Sequence, residues 1–353
     1  MAYGRVLAAA LLCYAALGAV LRALPGHLTD LGAGPLAIGI AVGAPAITGL
    51  VARPGGGRLA DRLSPRAVLP AGAVIMAVGV APALHDSISA QLGSRLLVGV
   101  GEGLMMSAAV LWLLRLAGPE RRGRALGHIG LANYGGLTAG PLLADALNGF
   151  ESVLLLAALL PLAAIAALPR TVPRATDGER DGVGLLRATL RPGIGLMLVN
   201  VGYAAMLAFG GAVAAFAITV IAARTLGAGI PDRFGARATL AVAAPTAAAG
   251  LVIVAAGPTI PGVVLLGAGQ ALAVPALGLL ALTNVPPAQH GTAAGMFFAW
   301  FDAGVGLGGP AAGFLAHLGG PSGALLGAAG AVLTAALIAG LSTIRPDAGP
   351  LVN

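Results

Sequence analysis

The chain has 353 residues, of which 58% are hydrophobic and only 9% charged, and its mean hydropathy is +0.93. Soluble domains carry about a quarter charged residues, so this composition excludes a soluble globular protein and points to an integral membrane protein. A β-barrel is excluded too, because the apolar runs are continuous where barrel strands alternate. The formal charge of +7 is carried entirely by arginine, with no lysine in the chain, and the arginines cluster at the ends of apolar runs. That is the placement of the positive-inside rule, so the expected partner is the lipid bilayer and not nucleic acid. Cys13 is the only cysteine, so no disulfide framework or metal centre is expected. Arginine-only basicity with heavy Ala, Gly, Val and Leu usage fits a GC-rich bacterial genome, hence a multi-pass protein of the bacterial plasma (inner) membrane.

A spanning helix needs about 20 apolar residues, so twelve spans and short loops fit. The first run, about 6–24, is too long for a signal peptide and reads as span 1, with Arg22 near its far end. Span 2 (about 35–51) leads into an arginine-rich loop at 53–66, followed by spans 3 (about 66–84) and 4 (about 90–114). The basic loop 119–124 precedes spans 5 (about 125–147) and 6 (about 152–168). Residues 170–191 are the longest polar segment and read as a linker between an N-terminal bundle, 1–169, and a C-terminal bundle, 192–345, with a tail at 346–353. Spans 9 to 12 are expected at about 238–256, 261–282, 292–318 and 323–343.

The stretch from Pro192 to Arg224, which must hold spans 7 and 8, is too short for two spans of ordinary length. It could form one long helix, leaving eleven spans, or two unusually short helices turning at Gly210-Gly211. Two are favoured, because one would move the arginines of the 224–237 loop to the opposite side. With twelve spans, Arg5 and all the basic loops share one face, while the other holds Arg22, Asp30, Asp86, Asp145 and Glu151. Both termini are then cytoplasmic.

The loop Arg53-Pro-Gly-Gly-Gly57-Arg-Leu-Ala-Asp61-Arg62-Leu-Ser-Pro-Arg66 returns in the second half as Arg224-Thr-Leu-Gly-Ala-Gly-Ile-Pro-Asp232-Arg233-Phe-Gly-Ala-Arg237, with the same internal spacing. Inside the spans, a charge costs about 2.5–3.5 kcal/mol at the bilayer centre, so such residues usually line a cavity. Arg95 and Glu102 on span 4 lie two helical turns apart on one face, about 10 Å. Asp302 lies on span 11. The plainer reading pairs Arg95 with a carboxylate only to hold helices together. Span 5 carries Asn133-Tyr134-Gly135-Gly136 and Gly140-Pro141. Span 11 repeats the pair as Gly309-Pro310, and Asp302 precedes that pair as Asn133 precedes Gly140-Pro141. These glycines could equally serve close helix packing. Arg22 reads either as an interfacial side chain or as a charge at the mouth of a cavity.

The Gly57-x-x-x-Asp61-Arg62-x-x-x-Arg66 pattern, repeated with Ala228 in place of its glycine, and Arg95-x-x-x-Gly99-x-Gly101 on span 4 resemble the major facilitator superfamily. The glycines and Gly140-Pro141 of span 5 resemble, incompletely, the signature of its proton-driven exporters, with Leu131 where a glycine is usual. The resemblance implies an all-α membrane fold of two pseudo-symmetric six-helix bundles around a central cavity. It also implies alternating access to a small-molecule substrate, powered by protons and without a cofactor, in a monomer. In it, Gly57, Asp61, Arg62 and Arg66, and again Asp232, Arg233 and Arg237, form conformational latches. Arg95, Glu102, Asn133, Tyr134, Asp302 and Arg22 are candidates for proton coupling and the substrate cavity. The leading expectation is proton-coupled efflux, with metabolite uptake, or a sensor or scaffold without transport, as alternatives. No nucleophile–base cluster within the spans supports an enzyme.

Overall fold

The computed structural model describes residues 1–170, 182–283 and 285–340, so part of the expected linker, 171–181, and the tail 346–353 lie outside the described residues. The first half consists of α1 (Ala2–Asp30), α2 (Pro35–Arg62), α3 (Pro65–Gly79), α4 (Ile88–Ala117), α5 (Arg122–Asp145) and α6 (Phe150–Ala167). The second consists of α7 (Gly182–Ala205), α8 (Val213–Gly227), the single-turn α9 (Ile230–Phe234), α10 (Ala236–Ala255), α11 (Thr259–Leu282) and α12 (His290–Gly340). Helix α12 is broken where Gly319 and Gly320 leave helical geometry, Gly320 with φ of 67°, which only glycine adopts freely. Its arms, 290–318 and 321–340, supply the last two spans. Eight helices are long and apolar enough to cross a membrane on their own. Counting α2, α5 and α8, and the two arms of α12 separately, gives twelve segments.

Large apolar side chains lie on the outside, among them Val51, Leu142, Ile218 and Leu226, exposed from 67% at Ile218 to 88% at Leu226. Such an apolar exterior is what lipid tails cover. Helix α4 is the most enclosed of the eight and α6 the least, so α4 is central and α6 peripheral.

Two expected boundaries are corrected. The stretch read as a loop from Arg53 is helical, since α2 continues to Arg62 through Pro54 and three glycines. Proline and glycine are poor helix formers in isolation. Here the absence of side chains lets α2 lie directly on its neighbours: a Cβ on Gly56 would meet Leu104 Cα of α4 at 2.9 Å, and one on Gly57 would meet the backbone of Gly291 and Thr292 of α12. Span 7 is also not short. Helix α7 begins at Gly182, within the segment read as linker, and runs through a π-turn at Met206–Gly210 before the chain reverses at Gly211 and Ala212. Only span 8, with 15 residues, is short.

Glycine contacts fix how the two halves correspond. Gly99 of α4 packs on Pro45 and Thr48 of α2, and Gly267 of α11 packs on Phe216 and Thr219 of α8. Gly136 and Gly140 of α5 seat on α1 around Tyr14, Ala15 and Gly18, while Gly304 and Gly308 of α12 seat on α7 around Asn200, Val201 and Ala204. Position 45 of α2 therefore answers 216 of α8, position 99 of α4 answers 267 of α11, and position 136 of α5 answers 304 of α12. The register suggested by the two Gly-Pro pairs is off by a single position. Gly309 has open space where a side chain would go, and Gly308 makes the close contact.

Both arginine-rich turns belong on one face of this fold. Cysteines placed at the exposed Leu63 and Phe234, with Cys13 replaced by alanine, should react with a membrane-impermeant maleimide from the same side. Labelling from opposite sides would exclude the twelve-segment topology.

Candidate functional site

Burying a guanidinium inside a membrane protein is tolerated when carboxylates and hydrogen bonds compensate it. Arg53 meets that condition on α2, 4% exposed at the junction with α4 and α12. Its Nη2 donates to Glu102 Oε1 of α4 at 3.1 Å and to Asp302 Oδ1 of α12 at 3.0 Å. Its Nε lies 2.6 Å from Asp302 Oδ2, an ion pair too poorly aligned to count as a hydrogen bond. Tyr14 of α1 donates its hydroxyl to Glu102 Oε1 at 2.6 Å. All four side chains are buried. Small residues admit the cluster: a Cβ on Gly49 would stand 3.0 Å from Asp302 Oδ2, and Gly295 of α12 lies against the Arg53 carbonyl, which also accepts from Ser107 Oγ at 2.8 Å. Arg53 and Glu102 belong to the first half and Asp302 to the second, so this ion pair joins the two bundles.

The acids of the two repeated motifs join them again. Asp61, at the end of α2, accepts from the backbone N–H of Gly291 at 2.9 Å and of Thr292 at 2.6 Å, and from the Thr292 hydroxyl at 2.6 Å. Asp232, on α9, accepts from the N–H of Gly123 and of Arg124, each at 2.7 Å. The first N–H groups of a helix have no partner within it and sit at its positive end, so a carboxylate there is doubly favoured. Each aspartate thus caps the first turn of a helix of the opposite half, α12 for Asp61 and α5 for Asp232. A short 3₁₀ turn leads into each capped helix, Pro287–Gln289 and Pro119–Arg121.

The remaining candidates are dispersed. Arg62, Arg66, Arg233 and Arg237 are exposed, with Arg66 donating to the Arg170 carbonyl at 2.5 Å and Arg233 lying over the Phe234 ring. Arg22 pairs with Asp145 at 3.0 Å, both more than half exposed, at the other end of the helices from Asp61 and Asp232. Asn133 is half-buried. The buried Tyr134 lies under the guanidinium of Arg224, 5.1 Å from ring centroid to Cζ, and makes T-shaped contacts with Tyr203 and Phe216. Gly136, Gly140 and Pro141 belong to the α1–α5 contact, and Pro310 follows Gly309 within α12.

Arg95 is the main departure from expectation. It is buried, but its one hydrogen bond is from Nε to the Ala41 carbonyl at 3.4 Å, and among the described residues no carboxylate pairs with it. It faces an apolar pocket between α1, α3, α4 and α6. Two turns of helix separate it from Glu102, and Arg53 approaches that carboxylate from another helix. Arg53 is hidden in the sequence because Pro54-Gly-Gly-Gly57 reads as a loop. The signal that could have found it is an arginine directly at the end of the apolar run of span 2, in a chain whose two intramembrane carboxylates call for a cation.

Residues 6–213 match the family described as the Major Facilitator Superfamily. An uncharacterized MFS-type transporter of Salmonella typhimurium is 32% identical over 378 aligned positions, covering 95% of each chain. The human organic anion transporter MFSD10 has the same fold, with a TM-score of 0.79 at 19% identity, over 96% of this chain and 98% of that one. FucP, in its outward conformation, superposes with a TM-score of 0.74 at 16% identity, over 98% of this chain and 100% of that one. With the matching segment covering more than half of the chain, and the Salmonella relative 32% identical along 95% of it, the protein belongs to the Major Facilitator Superfamily.

Proposed function

We propose that this transporter exports a small organic compound across the bacterial inner membrane in exchange for protons, as a monomer and without a cofactor. The observation that carries the coupling is the charge count around Arg53: one guanidinium faces two carboxylates. With both carboxylates ionised the cluster bears one net negative charge; with one proton bound it is neutral. Binding or losing that proton changes the strength of the link between Arg53 and Asp302, which ties the bundles together. A proton taken up here therefore acts on the equilibrium between the two states of the transporter, which is what coupling requires.

The arginine-rich face is read as cytoplasmic, with both termini on that side. The two aspartate caps lie at that face and hold the bundles closed there, so the described state is one that faces outward or is occluded. Export is favoured over uptake by the glycines of α5, which keep α5 close to α1 as in the exporter pattern. Uptake driven by protons is the alternative, and the direction of proton movement separates them.

In inverted vesicles with a pH-sensitive dye, adding a transported substrate should dissipate an imposed acid-inside gradient. Glu102→Gln and Asp302→Asn should each abolish that signal while substrate binding persists. Proton-linked transport at the normal rate in both variants would make the carboxylates structural only.

The caps should differ in weight. Asp61 is buried and accepts three hydrogen bonds, whereas Asp232 is half-buried and accepts two. Hydrogen bonds to a charged group contribute about 1.5–3 kcal/mol each. Asp61→Asn should therefore slow transport by about tenfold or more without loss of membrane insertion, and Asp232→Asn should slow it less. Initial rates normalised to the inserted protein provide the check; a larger effect at Asp232 would reverse this assignment.

A further inference from the structure

The register of the two halves gives the Arg53 cluster a counterpart centred on Arg224 of the second bundle, and its chemistry is different. Arg224 stands on α8 where Arg53 stands on α2. On α11, Gln270 holds the place that Glu102 holds on α4; on α5, Tyr134 holds the place that Asp302 holds on α12. On α7, Asn200 answers Tyr14 of α1, because Gly304 meets Asn200 as Gly136 meets Tyr14. The arginine is kept and both acids are replaced by neutral groups. The result is a buried cation, 2% exposed, with no carboxylate in ion-pair distance among the described residues.

The other three counterparts are also unsatisfied. Buried polar groups in proteins are almost always hydrogen-bonded. Here the Arg224 Nε, the Tyr134 hydroxyl, the Asn200 Oδ1 and both polar atoms of the Gln270 amide are buried without a partner among the described residues. They fall on the four positions whose counterparts form the Arg53 cluster. The apolar wall is aromatic: Tyr134 meets Tyr203 and Phe216 edge-on, and Tyr203 stacks on Phe216 with centroids 5.3 Å apart. The guanidinium rests on the Tyr134 ring and fills the space that a side chain at Gly130 would take, where α5 and α8 meet.

We infer that Arg224, Tyr134 and Gln270 form the recognition site for the transported compound, and that this compound is an organic monoanion with a planar ring, an aromatic carboxylate. One cation without a counter-charge calls for one negative charge. The Tyr134 hydroxyl and the Gln270 amide supply neutral donors, and the aromatic wall takes a flat ring. Division of labour follows: the cluster centred on Arg53 holds the proton and the one centred on Arg224 holds the cargo. Identification of the ligand as cargo rests on the transporter reading above, whereas its binding does not depend on proton coupling or direction.

Purified full-length protein should be tested for thermal stabilisation and equilibrium binding with benzoate, 1-naphthoate, benzamide and benzylamine as probes. The carboxylates should bind, naphthoate more tightly than benzoate, with the amide and the amine at least tenfold weaker. Arg224→Gln should weaken carboxylate binding at least tenfold. Gln270→Glu, which places an acid where the first bundle has Glu102, should do the same while the unliganded protein unfolds at or above the wild-type temperature. If Arg224→Gln does not fold, Gln270→Glu decides. Equal carboxylate binding by wild type and Gln270→Glu, or binding of benzylamine as tight as benzoate, would overturn the assignment. Loss of pH-driven transport in the Glu102 and Asp302 variants bears only on coupling, so the two readings fail separately.

Discussion

A guanidinium buried in a low-dielectric interior is costly unless carboxylates compensate it, and the compensated Arg53 organises much of this protein. Removing one partner from a buried ion pair costs about 3–5 kcal/mol, because the other charge is left stranded. Helices α2, α4 and α12 must therefore lie close enough for one side chain to reach carboxylates on both others. That closeness requires the missing side chains of Gly49, Gly56 and Gly57 on α2 and of Gly99, Gly103 and Gly295 on its neighbours. The glycine content of the chain is thus tied to electrostatics as well as to packing. The same closeness brings the end of α2 to the first turn of α12, where Asp61 finds its three donors.

The fold was largely legible because the membrane imposes strong rules on sequence. Continuous apolar runs, arginines at one set of ends and an internal repeat were enough for two six-helix bundles. Glu102 and Asp302 stood out for the same reason: acids are rare in such runs. Legibility ended where tertiary contacts overrode local preference. Pro54 and its glycines look like a break, and only the surfaces of α4 and α12 make that stretch helical. Arg95 shares a helix face with Glu102 but stands two turns away, and partnership across helices depends on approach distances that no single sequence displays. A slip of a single position in register, set by the conspicuous Gly-Pro pairs, aligned Asp302 with Asn133 and concealed its correspondence to Tyr134.

Duplication of a bundle gives every residue of one half a counterpart in the other, and divergence between counterparts is where two roles can separate. Around Arg53 both acids are present and the arginine is compensated. Around Arg224 the arginine is present and neutral groups stand at the acids' positions. The interfaces keep the symmetry that the interiors have lost, since each half still caps a helix of the other with an aspartate.

The short α8 carries a further consequence. Its 15 residues at about 1.5 Å each reach about 22 Å, against about 30 Å for the hydrocarbon core of a bilayer. Lipid beside this helix must thin, or the helix must shift along its axis to keep its apolar length covered. Acyl-chain length thereby becomes a mechanical input at one flank of the protein. It acts on the helix that bears Arg224 and not on its longer counterpart bearing Arg53, so membrane thickness would bias one bundle without directly loading the other.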